Sequence, residues 1–308
     1  MAKKEELDKE LVEIETPHGV FWTRKGDFVN KQLREYGGHQ RSELGMILSF
    51  AREGDVALDV GAHIGTFSIP LAQHIGPSGH VFSFEPTPES HRILARNIST
   101  NGLGERVTAI NALISDKKGE YTTHMLGDHT SAAYFTPSEP SEKSSERSDD
   151  FTAEAALKTV HLDSWGLEGE TKLERLDIMK VDTEGMELRV LESAAGLIER
   201  FRPVIMVEVS AAHLARVGDR VEDLEEFLRS FGYNFYFNLG PRHALTEDFE
   251  LAEIWSPKHP AGLYDLLAAH PDSERRVPPA RHPGVTAGSW AFRQARALPS
   301  WLKGRMLG

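Results

Sequence analysis

Four acidic residues stand at or just after apolar runs of the sequence, where the strands of an α/β sheet end. They are Asp59, Glu85, Asp182 and Glu208. A carboxylate in such a place can accept hydrogen bonds from hydroxyl groups, hold a positively charged group, or take a proton from a reacting hydroxyl. The sequence therefore predicts a site that binds a polar or cationic ligand at one edge of a sheet.

The loop after Asp59 discriminates between two classes of cofactor. A dinucleotide-binding loop has glycine at its first, third and sixth positions, but here, with Gly61 as the first, the third and sixth positions are His63 and Thr66. S-adenosylmethionine (SAM) carries an amino group and a sulfonium and has no pyrophosphate. A carboxylate before the loop would attract SAM and repel a diphosphate. We therefore expect the cofactor SAM, held by Asp59, Gly61, Ala62 and Gly65.

The next two strand ends predict contacts to the rest of the cofactor. Glu85, followed by Pro86, is placed to accept hydrogen bonds from both ribose hydroxyls, although a nicotinamide cofactor could be held in the same way. Asn111 and Ala112 follow the third strand, where a polar side chain and backbone amides can contact an adenine edge. A tight turn or a solvated acid explains each feature alone, but their order favours a SAM site.

Several segments resemble the FkbM family of SAM-dependent methyltransferases, in order along about residues 54–238. The quoted segments are ALDVGAHIGTFSIPLA, VFSFEPTPESHRILARNISTNGL, INALISDKKGE, VHLDSWGLE, DIMKVDTEGMELRVLESAAGLI and RPVIMVEVS. The most specific element is Asp182-Thr183-Glu184-Gly185 with Glu187 after it. Family members typically methylate hydroxyl groups of polyketides, sugars or glycans. The resemblance implies O-methylation of a small-molecule or glycan acceptor, as in natural-product biosynthesis.

A hydroxyl becomes a good methyl acceptor when a base removes its proton or a metal lowers its pKa. Asp182 and Glu208 are the candidate catalytic carboxylates, and they could instead bind one Mg²⁺ or have a structural role. Asp182 is also a candidate cofactor contact. His63, in the glycine loop, is a third catalytic candidate. His129 and Glu184 are candidate substrate contacts, and Glu184 is also a candidate base, metal ligand or helix cap.

The elements that position these residues alternate along the chain. Candidate strands are 56–60, 80–84, 107–112, 178–181, 204–209 and 234–238, and helical patterns cover 88–101, 186–200 and 219–231. Alternating strands and helices predict a parallel sheet with helices on both faces. Combined with the resemblance, this predicts an α/β, Rossmann-like class I methyltransferase fold with a mostly parallel seven-stranded sheet.

Segments on either side of this core differ in composition. Residues 1–53 predict a hairpin (11–23) and a helix, and 54–240 form the expected methyltransferase core. Within the core, the Ser- and acid-rich segment 136–150 predicts a flexible insertion. Residues 241–308 predict an irregular extension. Its end, 275–308, has seven Lys or Arg and no acid. This segment either is a solvated arm, or packs on the acidic body, covers the site or meets an anionic partner.

Composition narrows the remaining alternatives. The 308 residues have a net charge of −12 and no cysteine, which argues against a nucleic-acid partner and excludes disulfides. With no long apolar run and no apolar leader, we expect a cytoplasmic protein without a membrane span. A homo-oligomer stays open. Rival functions are an N-methyltransferase of a small molecule or peptide, a non-catalytic SAM-binding module, a nucleic-acid methyltransferase and a nicotinamide oxidoreductase.

Overall fold

The computed structural model describes residues 10–117, 119, 121–125, 133–137, 157–238, 247–253, 262–273 and 275. Within these residues the central sheet has eight strands. Their spatial order is β13 (Leu251–Glu253), β12 (Asn234–Asn238), β14 (Leu263–Ala269), β11 (Val204–Ser210), β10 (Ile178–Val181), β3 (Val56–Val60), β4 (His80–Phe84) and β5 (Val107–Ile110). The run from β11 to β5 is parallel, so the carboxyl ends of these strands meet at one edge.

The predicted α/β fold is confirmed, because helices cover both faces of this mostly parallel sheet. One face packs against α1 (Phe28–Tyr36), α2 (Arg41–Phe50), α3 (Ser68–His74) and α4 (Pro88–Thr100). The other face packs against α5 (Glu187–Ser193), α6 (Ala195–Phe201), α7 (Ala211–Arg216) and α8 (Val221–Ser230). A π-helical turn, Ser164–Glu168, lies on this second side, and its Trp165 packs edge-on against Phe82 and Phe84.

The N-terminal hairpin predicted for 11–23 is confirmed as β1 (Leu11–Thr16) and β2 (Gly19–Arg24). The hairpin is fastened to the core through α4. Asn97 Oδ1 accepts the backbone N–H of Trp22 at 2.7 Å, and Asn101 Oδ1 accepts that of Val20 at 2.9 Å. Side-chain amides thus satisfy backbone groups of the hairpin, and the N-terminal extension becomes part of the sheet's covering layer.

One predicted helix, 186–200, is instead two. The break is at Ala194, between α5 and α6. The reason is a side chain from elsewhere in the chain: the Asp163 carboxylate accepts the backbone N–H groups of Gly196 and Leu197 at 2.7 and 2.9 Å. Asp163 therefore satisfies the first free N–H groups of α6 and makes that point a new helix start.

The segment 241–308, which the sequence predicted to be an irregular extension, contributes strands to the central sheet. Strand β14 lies between β11 and β12, antiparallel to both, and most of its residues are buried. The run Leu263–Ala269 is apolar except for Asp265, which is the pattern of a buried strand. The short strand β13 then extends the sheet at the edge beyond β12. Part of the predicted 241–308 extension therefore belongs to the core.

Two smaller pairs of strands lie beside the sheet. β6 (Leu113–Ile114) pairs with β9 (Thr159–Val160), and β7 (Tyr121–Met125) pairs with β8 (Ala133–Pro137). The first two residues of the predicted insertion, 136 and 137, end β8, and residues 138–150 lie outside the described residues. Among the described helices, none is long and apolar enough to span a bilayer.

Candidate active site

The predicted residues meet at the edge where the parallel strands end. Asp59 and Lys180 are register partners on β3 and β10, so they share a face of the sheet. On β11, Met206 is the partner of Lys180, and Glu208 lies two residues further along the same face. Asp265 on β14 is the antiparallel partner of Glu208. The same face is apolar at the opposite end of these strands, so the charged groups mark a separate polar region.

The glycines of the loop allow close packing within the protein. A Cβ on Gly61, whose φ is +82°, would lie 1.8 Å from the carbonyl oxygen of Asp182. A Cβ on Gly65 (φ +91°) would lie 2.8 Å from the side chain of Leu94. The sequence prediction assigned both glycines to approach of the cofactor. The geometry shows a different requirement, since Gly61 lets the ends of β3 and β10 touch and Gly65 lets the loop rest on α4.

Asp59 is held inside the protein. Its Oδ2 accepts a hydrogen bond from Ser68 Oγ at 2.5 Å, and its Oδ1 lies 3.2 Å from Lys180 Nζ. Its side chain is 1% exposed. We predicted a direct contact between this carboxylate and a cationic group of the cofactor, but the observed contacts orient Lys180 and α3. Asp59 therefore stabilises the glycine loop through Lys180 and Ser68.

Lys180 is the cation around which this region is organised. Its ammonium lies 3.2 Å from Asp59 Oδ1, 3.2 Å from the carbonyl oxygen of Gly61 and 3.6 Å from Asp182 Oδ2. Burial opposes its charged form, but Asp59, Asp182 and Glu208 outweigh this effect and raise the pKa of Lys180. The sequence interpretation missed Lys180. A lysine inside the apolar run 178–181, on the same face as an acid, was the signal that could have found it.

Glu85 is an oriented carboxylate at the end of β4. Its Oε1 accepts Thr87 N–H at 2.9 Å and Thr87 Oγ1 at 2.6 Å, and its Oε2 accepts His63 N–H at 2.9 Å. Burial raises the pKa of Glu85, while these hydrogen bonds and Lys180 act in the opposite direction. A carboxylate has about four acceptor positions, so three donors leave capacity for a ligand hydroxyl. The remaining position suits one hydroxyl, whereas the sequence predicted a contact with both ribose hydroxyls, and the ribose contact stays a prediction.

The turn after β5 was predicted to contact an adenine edge, but its polar groups bind other parts of the protein. Asn111 Nδ2 donates to the carbonyl oxygens of Glu85 and Pro86 at 2.8 and 2.9 Å. The backbone N–H of Ala112 donates to Ile110, and that of Leu113 donates to Lys158. The amides predicted to contact an adenine edge are thus engaged within the protein. Asn111 instead ties the end of β5 to the Glu85–Pro86 turn and so fixes the position of Glu85.

The loop after β10 is built around a buried acid. Glu187 Oε1 accepts the backbone N–H groups of Thr183 and Gly185, both at 3.0 Å, and Thr183 Oγ1 at 3.1 Å. Burial raises the pKa of Glu187 to about 7, and Asp182 adds to the shift. Asp182 itself is about one-fifth exposed at the mouth of the loop. Glu187 therefore holds the loop in shape and leaves Asp182 and Glu184 at its surface.

Glu184 and Glu208 come together with a histidine that had no assigned role. His213 Nδ1 lies 3.0 Å from Glu184 Oε2. One ligand atom each from Glu184, Glu208 and His213 lies within 4.8 Å of the other two. The sequence named Asp182 and Glu208 as the candidate metal pair, whereas the described geometry brings Glu208 to Glu184 and His213. His213 follows β11 closely, so its position after a strand end was the available signal.

His63 lies in the glycine loop with a φ of +49°. Burial lowers its pKa to about 4, with Lys180 acting in the same direction and Asp27 and Asp182 opposing. Its imidazole is therefore neutral and weakly basic at neutral pH, which disfavours it as a general base. Asp27 is the N-cap of α1, so a charge of the N-terminal extension acts on this loop residue. His129 lies outside the described residues.

Known proteins resemble this chain mainly over the core that contains the site. Residues 59–235 match the family model described as the methyltransferase FkbM domain. The 31-O-demethyl-FK506 methyltransferase FkbM of Streptomyces tacrolimicus is 29% identical over 218 residues, which are 65% of this chain and 81% of that protein. Methyltransferase sdnD of Sordaria araneosa is 28% identical over 156 residues, 44% of this chain and 58% of that protein.

Two solved structures show weaker likeness. A methyltransferase FkbM from Methylobacillus flagellatus KT is 16% identical, covers 71% of this chain and 44% of its own, and has a TM-score of 0.38. A precorrin-6y C5,15-methyltransferase from Geobacter metallireducens GS-15 is 15% identical, covers 75% and 87%, and has a TM-score of 0.40. Likeness at this level carries no argument about substrate or mechanism.

Proposed function

Since the chain belongs to the FkbM family of SAM-dependent methyltransferases, we propose that it transfers a methyl group to a hydroxyl oxygen of a small-molecule or glycan acceptor. The observation that carries this proposal is the group of carboxylates at the strand ends, in which Asp182 and Glu208 act on the Lys180 ammonium and Glu184 lies near Glu208. Such a region favours a cationic cofactor and the loss of a proton from a neutral hydroxyl. The name of the Streptomyces tacrolimicus relative, which specifies a 31-O-demethyl substrate, supports oxygen as the acceptor atom.

The cofactor side of the proposal rests on Glu85. When bound, SAM supplies a methyl group on a positively charged sulfur. Glu85 Oε2, oriented by His63 N–H, accepts a ribose hydroxyl. Asp182 is a partly exposed carboxylate beside the glycine loop, where its backbone oxygen lies close to Gly61, and its charge favours a cationic cofactor. Lys180 and Asp59 fix the relative positions of loop and strand and do not touch the ligand.

The acceptor side rests on the opposite part of the same edge. The hydroxyl oxygen must approach the methyl carbon in line with the bond from carbon to sulfur, and its proton must leave as the new C–O bond forms. Asp182 and Glu208 are the carboxylates that can take this proton. His63 stays neutral and weakly basic, so it contributes shape or a hydrogen bond rather than proton transfer.

Acceptor chemistry can be tested with deuterated SAM. The purified chain is incubated with a panel of polyketides, sugars and glycans bearing hydroxyl groups, and with matched compounds in which an amine replaces the hydroxyl. Mass spectrometry and NMR then locate the deuterated methyl group. We expect it on oxygen. Methylation of the amines alone, or binding of SAM without turnover on any acceptor, would contradict the proposal.

Cofactor binding gives a second test that needs no acceptor. Calorimetry should show that Glu85→Ala weakens SAM binding by about 1.5–3 kcal/mol, the scale of a lost hydrogen bond to a charged group. The matched control is Glu105→Ala, since Glu105 is exposed and remote in sequence from the loop. We also expect no binding of NADH. Unchanged SAM affinity in Glu85→Ala would remove the ribose assignment.

A further inference from the structure

Glu184, Glu208 and His213 form a compact set of metal-binding groups at the acceptor side of the site. We propose that these three side chains bind one divalent cation, which in turn binds the acceptor hydroxyl. The inference deepens the proposed O-methylation and rests on it for the role of the metal. Binding of the metal itself is independent of that role.

The three ligands come from elements that are packed together. Glu184 lies in the loop after β10, Glu208 on β11 and His213 on α7. A Cβ on Gly185, next to Glu184, would lie 2.6 Å from the carbonyl oxygen of His213, so the loop and the helix are in direct contact. Ser210 Oγ accepts His213 N–H at 3.3 Å and begins α7 immediately after β11. These contacts define the separation of the ligands before any ion binds.

Charge provides an independent reason to expect a cation. The described contacts place Lys180 against Asp59 and Asp182, and Glu208 also acts on it. A carboxylate oxygen of Glu184 lies within 4.8 Å of one of Glu208, so Glu184 adds a further acid next to a carboxylate that already acts on Lys180. Asp265, the buried strand partner of Glu208, adds a fifth acid nearby. Carboxylates this close repel one another, and a divalent cation between Glu184 and Glu208 relieves the repulsion.

The donor atoms indicate the class of metal. Two carboxylates and one imidazole suit a first-row transition ion such as Mn²⁺, Fe²⁺, Co²⁺ or Zn²⁺, whereas Mg²⁺ prefers oxygen ligands alone. Because one ligand is an imidazole, we expect a transition ion rather than the Mg²⁺ that the sequence predicted at Asp182 and Glu208. Asp182 is directed at Lys180 and stands outside the three-ligand set.

Three protein ligands leave coordination positions for small ligands, which is the arrangement of catalytic metal sites. An acceptor hydroxyl in one of these positions would lose its proton more readily, because the cation stabilises the alkoxide. The proton would pass to solvent or to Asp182, and the alkoxide oxygen would form the bond to the methyl carbon. With the pKa of the hydroxyl lowered by the metal, the site needs no general base whose pKa is near neutral. The pKa of His63 is too low for that role.

Metal binding can be measured on the full chain without an acceptor. After treatment with EDTA and dialysis, the protein is titrated with MnCl₂ and followed by calorimetry and by the EPR signal of free Mn²⁺. We expect one saturable site. Glu208→Gln and His213→Ala should each weaken it at least tenfold, while Glu226→Gln, an exposed control on α8, should leave it unchanged. Circular dichroism melts report whether each variant folds.

The results separate this inference from the proposed function. Absence of saturable Mn²⁺ binding, or equal Mn²⁺ affinity in Glu208→Gln, overturns the metal site and leaves SAM binding and methyl transfer unaffected. Loss of methyl transfer in His213→Ala with unchanged Mn²⁺ affinity would make His213 a proton acceptor and also overturn the site. Methyl transfer that persists in EDTA would overturn the metal's role at the acceptor. Loss of transfer in EDTA and its return with Mn²⁺ would support it.

Discussion

The two ends of the central strands β3 and β10 carry similar residues with different charge balance. At the amino ends, Asp55 and Asp177 meet two arginines, Arg175 and Arg275. At the carboxyl ends, Asp59, Asp182 and Glu208 share Lys180. At the first end two carboxylates pair with two guanidinium groups, so their charges balance. Among the described contacts, the second end has more acids than cations, a balance that is typical of a site that binds a cation.

The amino-end cluster also accounts for the start of the basic tail. Arg275 lies 2.6 Å from Asp55 and 3.0 Å from Asp177, and it donates to the carbonyl oxygen of Phe50. Burial favours the neutral form of Asp177, but hydrogen bonds from Arg175 and Val56 N–H and the charge of Arg275 lower its pKa. Of the segment 275–308 the structure describes only Arg275. This residue contacts Asp55 and Asp177, as expected for packing on the acidic body, one of the alternatives left open by the sequence.

The largest effect is expected from removing Lys180, the cation that the described contacts place at the acid-rich end. Lys180→Met would leave Asp59, whose side chain is 1% exposed, without its ion-pair partner. Breaking a buried pair from one side costs about 3–5 kcal/mol, and three carboxylates lose their cation here, so we expect about 4 kcal/mol or more. Urea unfolding measures this. Lys158→Met, at an exposed site, should change stability by about 0.5 kcal/mol or less. Equal stability of the two variants would contradict the organising role of Lys180.

The next prediction concerns pH at the same end. The pKa of Glu187 is about 7 in the folded protein, against 4.5 for an unperturbed glutamate, so the native state binds this proton more tightly than the unfolded state. The stability contributed by the group is complete below about pH 4.5 and is lost as pH rises through 7. The change is about 3 kcal/mol, since each pKa unit is worth about 1.4 kcal/mol.

Glu187→Gln keeps the acceptor oxygen and removes the titration. The difference in unfolding free energy between wild type and this variant should therefore shift against wild type by about 3 kcal/mol from pH 4.5 to pH 8. Groups that titrate in both proteins cancel in the difference. Glu105→Gln, at an exposed position, should give a difference that is flat with pH. A flat difference for Glu187→Gln as well would mean that its carboxyl is ionised throughout.

At the balanced end, loss of one cation should cost less. In Arg275→Met, Arg175 remains 3.4 Å from Asp55 and 2.7 Å from Asp177, so we expect a loss of about 2 kcal/mol, below the full cost of an unpaired buried charge. The control is Arg202→Met, which breaks an exposed pair with Asp272 and should cost about 1 kcal/mol or less. A loss as large as that of Lys180→Met would contradict the difference between the two ends.

The sequence predicted where the strands and their terminal acids lie, but it did not predict which groups those acids contact. Strands such as Val56–Val60 and Ile178–Val181 were predicted with their observed bounds, because short apolar runs between turn residues carry a local signal. The positions of Asp59, Glu85, Asp182 and Glu208 at one edge followed from the parallel sheet. What each carboxylate contacts did not follow, because it depends on residues far apart in sequence.

Three particular differences show this limit. Lys180 determines what Asp59 and Asp182 do, but it can be assigned only when β3 and β10 are known to be neighbours. His213 meets Glu184 because Gly185 lets the loop touch α7. Strand β14 enters the sheet beside β11 although more than 50 residues separate them along the chain. Pairings of this kind are set by tertiary packing, which overrides local preference.

The smallest expected effect is also the sharpest test of the comparison, since it uses one substitution at both ends of β10. Asp182→Asn removes a carboxylate from the acid-rich end, so the repulsion falls and stability should rise, by about 1 kcal/mol or less because the group is partly exposed. Asp177→Asn removes a carboxylate that pairs with Arg175 and Arg275, so stability should fall. Methyl transfer should drop about 100-fold in Asp182→Asn, the scale of a lost proton acceptor, and stay near wild type in Asp177→Asn. We therefore expect Asp182→Asn to raise stability and lower activity, and Asp177→Asn to lower stability and keep activity. This result would mean that the carboxylate at position 182 is kept for function at some cost in stability. If both substitutions destabilise the protein equally, the acids after β10 are structural, and the search for the proton acceptor moves to Glu208 and His213.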